Sequence, residues 1–81
     1  MNQYYIIAEI DGVTSFYHSD KAFYSGFIYL GGCYFKTWKR LSYARQMFNR
    51  IRVGGRINSV SLMSVDVGGS YRKDGVVIAS K

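Results

Sequence analysis

The stretch of sequence that decides the fold is QYYIIAEI, residues 3–10, which is followed directly by Asp11-Gly12. β-Branched and aromatic residues fill most of this stretch, and such a composition is typical of a β-strand. An Asp-Gly pair supplies the positive φ angles that a tight hairpin turn requires. We therefore predict a strand over residues 3–10 and a returning partner strand over residues 13–18.

The part of the chain that follows is again aromatic and rich in β-prone residues, and glycines divide it. We expect one or two further strands over residues 22–30 and 33–36. Gly26 is a candidate β-bulge, because an isolated glycine weakens the interior of a strand.

One segment breaks the strand pattern, because its apolar residues recur with the 3.6-residue period of an α-helix. These residues are Ala44, Met47, Phe48 and Ile51. Ser42 is a candidate N-cap, since a serine hydroxyl accepts a hydrogen bond from a free N–H group at the start of a helix. Gly54-Gly55 is a candidate C-terminal stop. We therefore predict one short amphipathic helix between these two signals.

The chain closes with strand-like segments at residues 57–67 and 76–79, which indicate a terminal hairpin. The order of strands, one helix and strands predicts a single α+β domain over residues 1–81. We expect a mainly antiparallel sheet of four to five strands, with the amphipathic helix packed on one face and the other face open. With 48% hydrophobic and 20% charged residues, the composition favours a folded domain over a disordered chain.

Charge is distributed unevenly along the sequence. The formal net charge is +6, and no carboxylate lies between Asp20 and Asp66. The cations inside this interval are Lys21, Lys36, Lys39, Arg40, Arg45, Arg50, Arg52 and Arg56. Clustered cations attract polyanions and accelerate their capture. The pattern predicts an anionic partner and leaves open whether the anion is nucleic acid, an acidic protein surface or a lipid headgroup.

Cysteine usage and hydropathy predict the compartment. Cys33 is the only cysteine, so an intrachain disulfide is excluded, and short secreted domains normally need such bonds. No segment approaches the ~20 apolar residues that span a bilayer, and the first residues lack the basic region of a signal peptide. We expect a soluble, unprocessed cytoplasmic protein without a membrane partner.

Residue types that carry catalysis or bind metals are scarce. We place His18, the only histidine, at a solvent-exposed strand end, and nothing in the sequence orients a pair of His18 and Cys33. One cysteine and one histidine cannot build a zinc site, and the glycine pairs do not have the spacing of a phosphate-binding loop. We expect no enzymatic activity, no catalytic residue, no metal and no cofactor.

The basic region around the predicted helix is the candidate partner-binding surface. On a helical projection Arg45 and Arg52 point nearly the same way, and guanidinium groups match phosphate or carboxylate groups well. Trp38 has two interpretations of equal weight, either an exposed anchor for a protein or a base, or a cover for the core beneath the helix. The alternative for the cations is a solvated helix face. The candidate binding residues are Lys36, Trp38, Lys39, Arg40, Arg45, Arg52 and Arg56.

The order of elements resembles that of small accessory proteins of phages and mobile elements, some of which are anti-CRISPR proteins. The resemblance rests on the opening YYII strand, the DG hairpin, the KTW element, the SYARQMF helix and a closing strand. It extends over most of the chain and implies no functional residues. Many proteins of that kind are acidic mimics of DNA, whereas this chain is basic. An inhibitor of this type would therefore bind an anionic groove, a guide-bearing complex or an acidic protein surface.

Three functional hypotheses remain. The first is a non-enzymatic, phage-type inhibitor that binds a host nucleoprotein defence complex in the host cytoplasm through a basic, aromatic-containing surface. Its binding energy would be concentrated at arginine and aromatic residues. The second is a small basic nucleic-acid-binding module, whose affinity falls steeply as salt rises. The third is a homodimeric structural or interaction protein that associates through an open edge or face of the sheet.

Overall fold

A central antiparallel sheet and one helix organise the chain. The computed structural model describes residues 1–19, 22–24, 28–29, 33–71 and 73–81. The elements are β1 (Asn2–Ile10), β2 (Val13–Ser19), β3 (Ala22–Tyr24), β4 (Ile28–Tyr29), β5 (Cys33–Tyr34), α1 (Leu41–Arg50), β6 (Ile57–Asp66) and β7 (Val76–Ser80). Within these residues the main sheet has the order β3-β2-β1-β6-β7, and β4 and β5 form a separate pair. The prediction of an α+β fold is confirmed, and the candidate bulge at Gly26 lies outside the described residues.

β1 occupies the middle of the sheet and pairs with a strand on each side. With β6 it forms an antiparallel ladder that runs from Asn2 opposite Asp66 to Ile10 opposite Ile57. With β2 it forms the hairpin expected at Asp11-Gly12, where the two φ angles are 54° and 80°. Few residue types other than glycine and short polar residues adopt such angles readily. The predicted hairpin is confirmed.

β1 and β2 pair only next to their turn, and residues 35–38 occupy the space where the two strands separate. The backbone N–H of Lys36 donates to the carbonyl of Tyr17 at 2.9 Å. Trp38 and Tyr4 exchange two backbone hydrogen bonds, each of 2.9 Å. The segment thus satisfies polar backbone groups on both strands, which would be costly to bury without partners.

Apolar clusters cover both faces of the sheet, which corrects the expectation of an open second face. The first cluster lies under α1 and contains Ile6, Ala8, Tyr17, Ala44, Phe48, Ile51, Val60 and Leu62. The second cluster contains Tyr5, Phe16, Phe35, Met63 and Val65, with Ile7 and Tyr71 packed against it. Neighbouring residues of a strand point to opposite faces, so β1 contributes to both clusters. Phe35 follows β5 and Tyr71 precedes β7, so both lie in connecting segments, although Phe35 was expected inside a strand over residues 33–36.

Tyr5 is the centre of the second cluster and is fully buried. Its ring centroid lies 5.2 Å from that of Tyr71 and 5.8 Å from that of Phe35, both in edge-to-face geometry. The Tyr5 hydroxyl donates a 2.8 Å hydrogen bond to the backbone carbonyl of Tyr71. Burial raises the pKa of the Tyr5 hydroxyl above its ordinary value of 10.0, and the neighbouring Tyr71 raises it further.

α1 begins at Leu41 with Arg40 in the N-cap position, so Ser42 lies inside the first turn and its predicted role as cap is wrong. No side-chain hydrogen bond caps this end of the helix. Burial explains the start, because Leu41 packs against the first cluster and anchors the first turn in place of a capping hydroxyl.

α1 ends at Arg50, earlier than the glycine signal predicts. Ile51 is extended, with φ −80° and ψ 131°, and its side chain is buried in the first cluster. Gly54 and Ile57 then exchange two 3.0 Å backbone hydrogen bonds in a tight turn, with Gly55 at φ 58°. The glycines therefore form the turn into β6 and do not terminate the helix.

β7 forms an outer edge of the described sheet and pairs antiparallel with β6, which confirms the terminal hairpin. Val76 and Val77 are 64% and 55% exposed on this strand. The pairing register shifts between Leu62 and Met63, and such irregularities make an edge a poorer template for further strands.

Replacement of Gly75 by alanine should expose how tightly the second cluster is packed. A Cβ atom there would overlap the Tyr5 hydroxyl and lie 3.2 Å from Met63 Cε. We expect Gly75→Ala to lower the free energy of unfolding by about 2 kcal/mol, as overpacking does. Tyr5→Phe removes the overlapping hydroxyl, so the alanine should cost less in that background. Urea denaturation of the four proteins of this double-mutant cycle measures the coupling, and additive losses would contradict the prediction.

The raised pKa of Tyr5 predicts a loss of stability in alkaline solution. The native state retains the hydroxyl proton at pH values where the unfolded chain releases it, so the free energy of unfolding falls as pH rises above about 10. Tyr5→Phe should show a shallower fall over the same pH range, since phenylalanine has no proton to release. Denaturant titrations at a series of pH values check this, and parallel slopes for the two proteins would count against it.

Candidate partner-binding surface

The cations that the sequence singled out all lie on the surface. Ala44 and Phe48 turn one side of α1 toward the first cluster, which leaves the opposite side of the helix in solvent. Lys36, Lys39, Arg40, Arg45, Arg52 and Arg56 are exposed, as is Arg50. Surface position alone does not bring them together, and the structure divides them into separate groups along the helix.

The first group lies near the start of α1. The Lys36 ammonium is 5.8 Å from the centroid of the Trp38 ring, and the Arg40 guanidinium is 5.9 Å from that of Tyr43. Such cation–π contacts contribute about 0.5–1 kcal/mol at exposed sites. Lys39 and Arg40 directly precede the helix, so this end of the surface combines cations with a half-exposed ring at Tyr43.

Trp38 belongs mainly to the core, which decides between its two sequence interpretations. Its side chain is half-buried, packs against the first cluster and stacks on Tyr17 with centroids 5.9 Å apart and planes inclined by 22°. Its backbone is held by the two hydrogen bonds to Tyr4. A residue fixed in this way supports the surface from below, and only part of its ring is available to a partner.

Arg45 and Arg52 do not form one helical stripe. Arg45 lies in α1, whereas Arg52 follows the end of the helix, so the helical projection that aligned them does not apply. Arg52 instead lines a pocket of about 240 Å³ with Arg50, and we call this cavity the Arg50–Arg52 pocket. Its lining residues are Phe23, Arg50, Ile51, Arg52 and Ile57.

Sequence reasoning left Arg50 out of the candidate set, although a signal for it was present. Residues 50–53 read Arg-Ile-Arg-Val, and this strict polar–apolar alternation is the period of extended chain. In extended backbone the neighbours of a buried residue point away from it together. The alternation marks where the helical period ends, and the pocket lining, not the strand rule, brings the last helical residue Arg50 beside Arg52 and the buried Ile51.

Arg56 differs from the other candidate cations because it has a carboxylate partner. Its Nε donates to Asp11 Oδ2 at 2.8 Å, and its terminal nitrogen also bonds that oxygen. The hydrogen bond and then the charge of Asp11 raise the pKa of the guanidinium. The Asp11 N–H donates to the Arg56 carbonyl at 3.2 Å as well. In the part of the chain that the structure describes, this is the single ion pair, and it joins the β1–β2 turn to the start of β6.

Two carboxylates lie far along the sheet from the Arg50–Arg52 pocket. Asp66 and Asp74 line a groove of about 490 Å³ together with Leu41, the first residue of α1. Asp66 closes β6, whereas Ile57, which lines the Arg50–Arg52 pocket, opens it. Asp66 and Asp74 thus lie toward the start of the helix, where Lys39 and Arg40 also lie, whereas Arg50 and Arg52 lie at its end.

Other chemistry is sparse in the described ranges. His18 is only 5% exposed and packs edge-to-face near Phe35 with centroids 6.4 Å apart, so its placement at a solvent-exposed strand end is wrong. The second cluster, which covers the face to which His18 belongs, accounts for its burial. Within these ranges no three metal-binding side chains lie together, and no helix has the length and apolar character needed to cross a membrane.

Comparison with known proteins finds no matching family model, no matching curated protein and no matching solved structure. The function is therefore inferred from the geometry and charge of this surface.

Truncation of Trp38 should affect the fold before it affects binding. We expect Trp38→Ala to lower the free energy of unfolding by about 2–3 kcal/mol, somewhat less than for a fully buried tryptophan. Tyr43→Ala is the matched control, because Tyr43 is 53% exposed and its loss should cost no more than about 1 kcal/mol, the upper value for its cation–π contact with Arg40. Guanidinium denaturation followed by circular dichroism measures both. Equal effects would show that Trp38 is a surface anchor and not part of the core.

Proposed function

We propose that this protein is a non-enzymatic, phage-type inhibitor, similar in action to anti-CRISPR proteins, that binds an anionic surface of a host nucleoprotein defence complex. The observation that carries the proposal is the set of exposed cations at both ends of α1 and on it, between residues 39 and 52, which have no acidic partner among the described residues. Of the described carboxylates, Asp11 binds Arg56, and Asp66 and Asp74 line the groove at the opposite end of α1 from Arg52.

A surface of this kind is suited to binding anions. Exposed arginines suit such binding, because the guanidinium group is weakly hydrated and its planar fork bonds carboxylate or phosphate oxygens in bidentate geometry. The helix that carries Arg45 is fixed by Ala44 and Phe48 in the first cluster, so the surface is preorganised. A rigid basic surface blocks a larger machine by occupying it, and this mode of action needs affinity and no catalysis.

Interference by a bacterial defence complex provides the functional test. Cells that carry an active nucleic-acid-targeting defence system would be challenged with a targeted phage, with and without this protein. We expect the wild type to restore plaque formation, and the combined Arg45→Glu/Arg52→Glu variant to lose most of this effect. Each single reversal should weaken binding to the purified complex at least about tenfold, which corresponds to about 1.4 kcal/mol.

Lys73→Glu is the matched control, since it makes the same charge change as either single reversal in the loop before β7, at the far end of the sheet from Arg52. Circular dichroism must show that all variants fold. Recovery of naked nucleic acid with a steep loss of affinity in salt would favour the nucleic-acid-binding alternative. Equal activity of the wild type and the combined variant would overturn the proposal and direct attention to the exposed β7 edge and the homodimer alternative.

A further inference from the structure

The Arg50–Arg52 pocket combines charge with an apolar floor. Two arginines and three apolar residues line it, and its volume of about 240 Å³ lies below the roughly 300–1,000 Å³ of pockets that hold drug-sized ligands. A cavity of this size suits one side chain of a partner better than a whole cofactor.

The end of α1 builds this pocket. Ile51 is extended and only 4% exposed, and its N–H donates to the Phe48 carbonyl at 3.3 Å. Arg50, the last residue of α1, and Arg52 line the pocket on either side of Ile51 in the sequence. The floor is therefore rigid, because it is part of the first cluster, whereas the arginine heads reach solvent.

The electrostatics of the pocket favour an anion. Within the described ranges its lining contains no carboxylate, and neither Arg50 nor Arg52 has an ion-pair partner there. Asp11 belongs to the adjoining turn, where Arg56 binds it and offsets its charge. Arg56 thereby keeps the field at the pocket positive, which gives it an indirect role in binding.

The floor distinguishes between two kinds of anionic partner. Proteins that hold single-stranded nucleic acid stack the bases on flat aromatic rings. Here two isoleucines accompany one half-buried ring, Phe23, which itself packs edge-to-face on Tyr17 at 5.6 Å. Among the described residues the lining offers no polar side chain besides the two arginines to read the edge of a base. An aliphatic side chain fits the apolar floor, and carboxylates on either side of it pair with the two arginines at the rim.

We infer that the Arg50–Arg52 pocket is a docking site for an acidic peptide segment of a protein partner. One aliphatic side chain enters between the arginines and contacts Phe23, Ile51 and Ile57, while carboxylates on either side of it bind the two guanidinium groups. This inference rests on the proposed function, since it names the part of the defence complex that the basic surface would recognise. The occupant is a protein segment and not a nucleic acid.

A pair of fluorescein-labelled peptides tests the inference by fluorescence anisotropy. Both carry glutamates on each side of a central residue, which is leucine in one and alanine in the other. With the wild-type protein we expect the leucine peptide to bind about tenfold more tightly, as burial of a leucine side chain predicts. This comparison needs no variant and so does not depend on whether a variant folds.

Replacement of the arginines then tests the rim. Arg50→Gln/Arg52→Gln should weaken binding of both peptides about tenfold or more, whereas Lys73→Gln should leave it unchanged. Circular dichroism checks that the double variant folds. Equal affinity of the wild type for the two peptides, no binding of either peptide, or tighter binding of an oligothymidylate of equal charge would overturn the inference.

Different results would contradict the proposed inhibitor function and the proposed docking site. If the peptides do not discriminate but Arg45→Glu/Arg52→Glu still abolishes inhibition of the defence system, the basic surface acts without a peptide-specific pocket. If the leucine peptide binds as expected but the protein does not restore plaque formation, the pocket serves another protein partner and the inhibitor proposal is wrong.

Discussion

The antiparallel ladder between β1 and β6 is the constraint on which the rest of the structure depends. It runs the whole length of β1 and fixes which residues face each side of the sheet. Ile6 and Ala8 meet the helix, whereas Tyr5 meets Phe35 and Tyr71. A slip of one residue would exchange these two sets between the faces and dismantle both clusters. The position of α1, and with it the basic surface, follows from this register.

Local signals were sufficient for the elements whose cause is local. The Asp11-Gly12 turn follows from the φ angles that it must adopt, and the helix follows from the spacing of Ala44 and Phe48. The second cluster was not foreseeable in the same way, because Tyr71 lies in a connecting segment without periodicity and Phe35 lies beyond the end of β5, although a strand was predicted over it. Only the tertiary arrangement brings them onto the face of the sheet that carries Tyr5.

The candidate surface likewise combines features that follow from local sequence with features that depend on tertiary packing. The sequence identified the basic region correctly as exposed, but the grouping of its members depends on where α1 ends. Burial of Ile51 ends the helix and aligns Arg52 with Arg50 in place of Arg45. The engagement of Arg56 by Asp11 is equally tertiary, since the two residues lie far apart in sequence and meet only when β6 pairs with β1. The distribution of charge along the sequence therefore identifies the basic region, whereas tertiary packing determines which of its residues lie together.

The distance in sequence between β1 and β6 also governs how the chain acquires its shape. β1 and β2 are synthesised first and are joined by a short turn, so their hairpin is a local structure that forms quickly. The other edge of β1 stays without its partner until β6 has been made, and contacts of such long separation slow folding. The pocket needs Ile57 as well as the helix end, so no early fragment of the nascent chain presents it. The pocket is therefore completed only when β6 has closed the sheet.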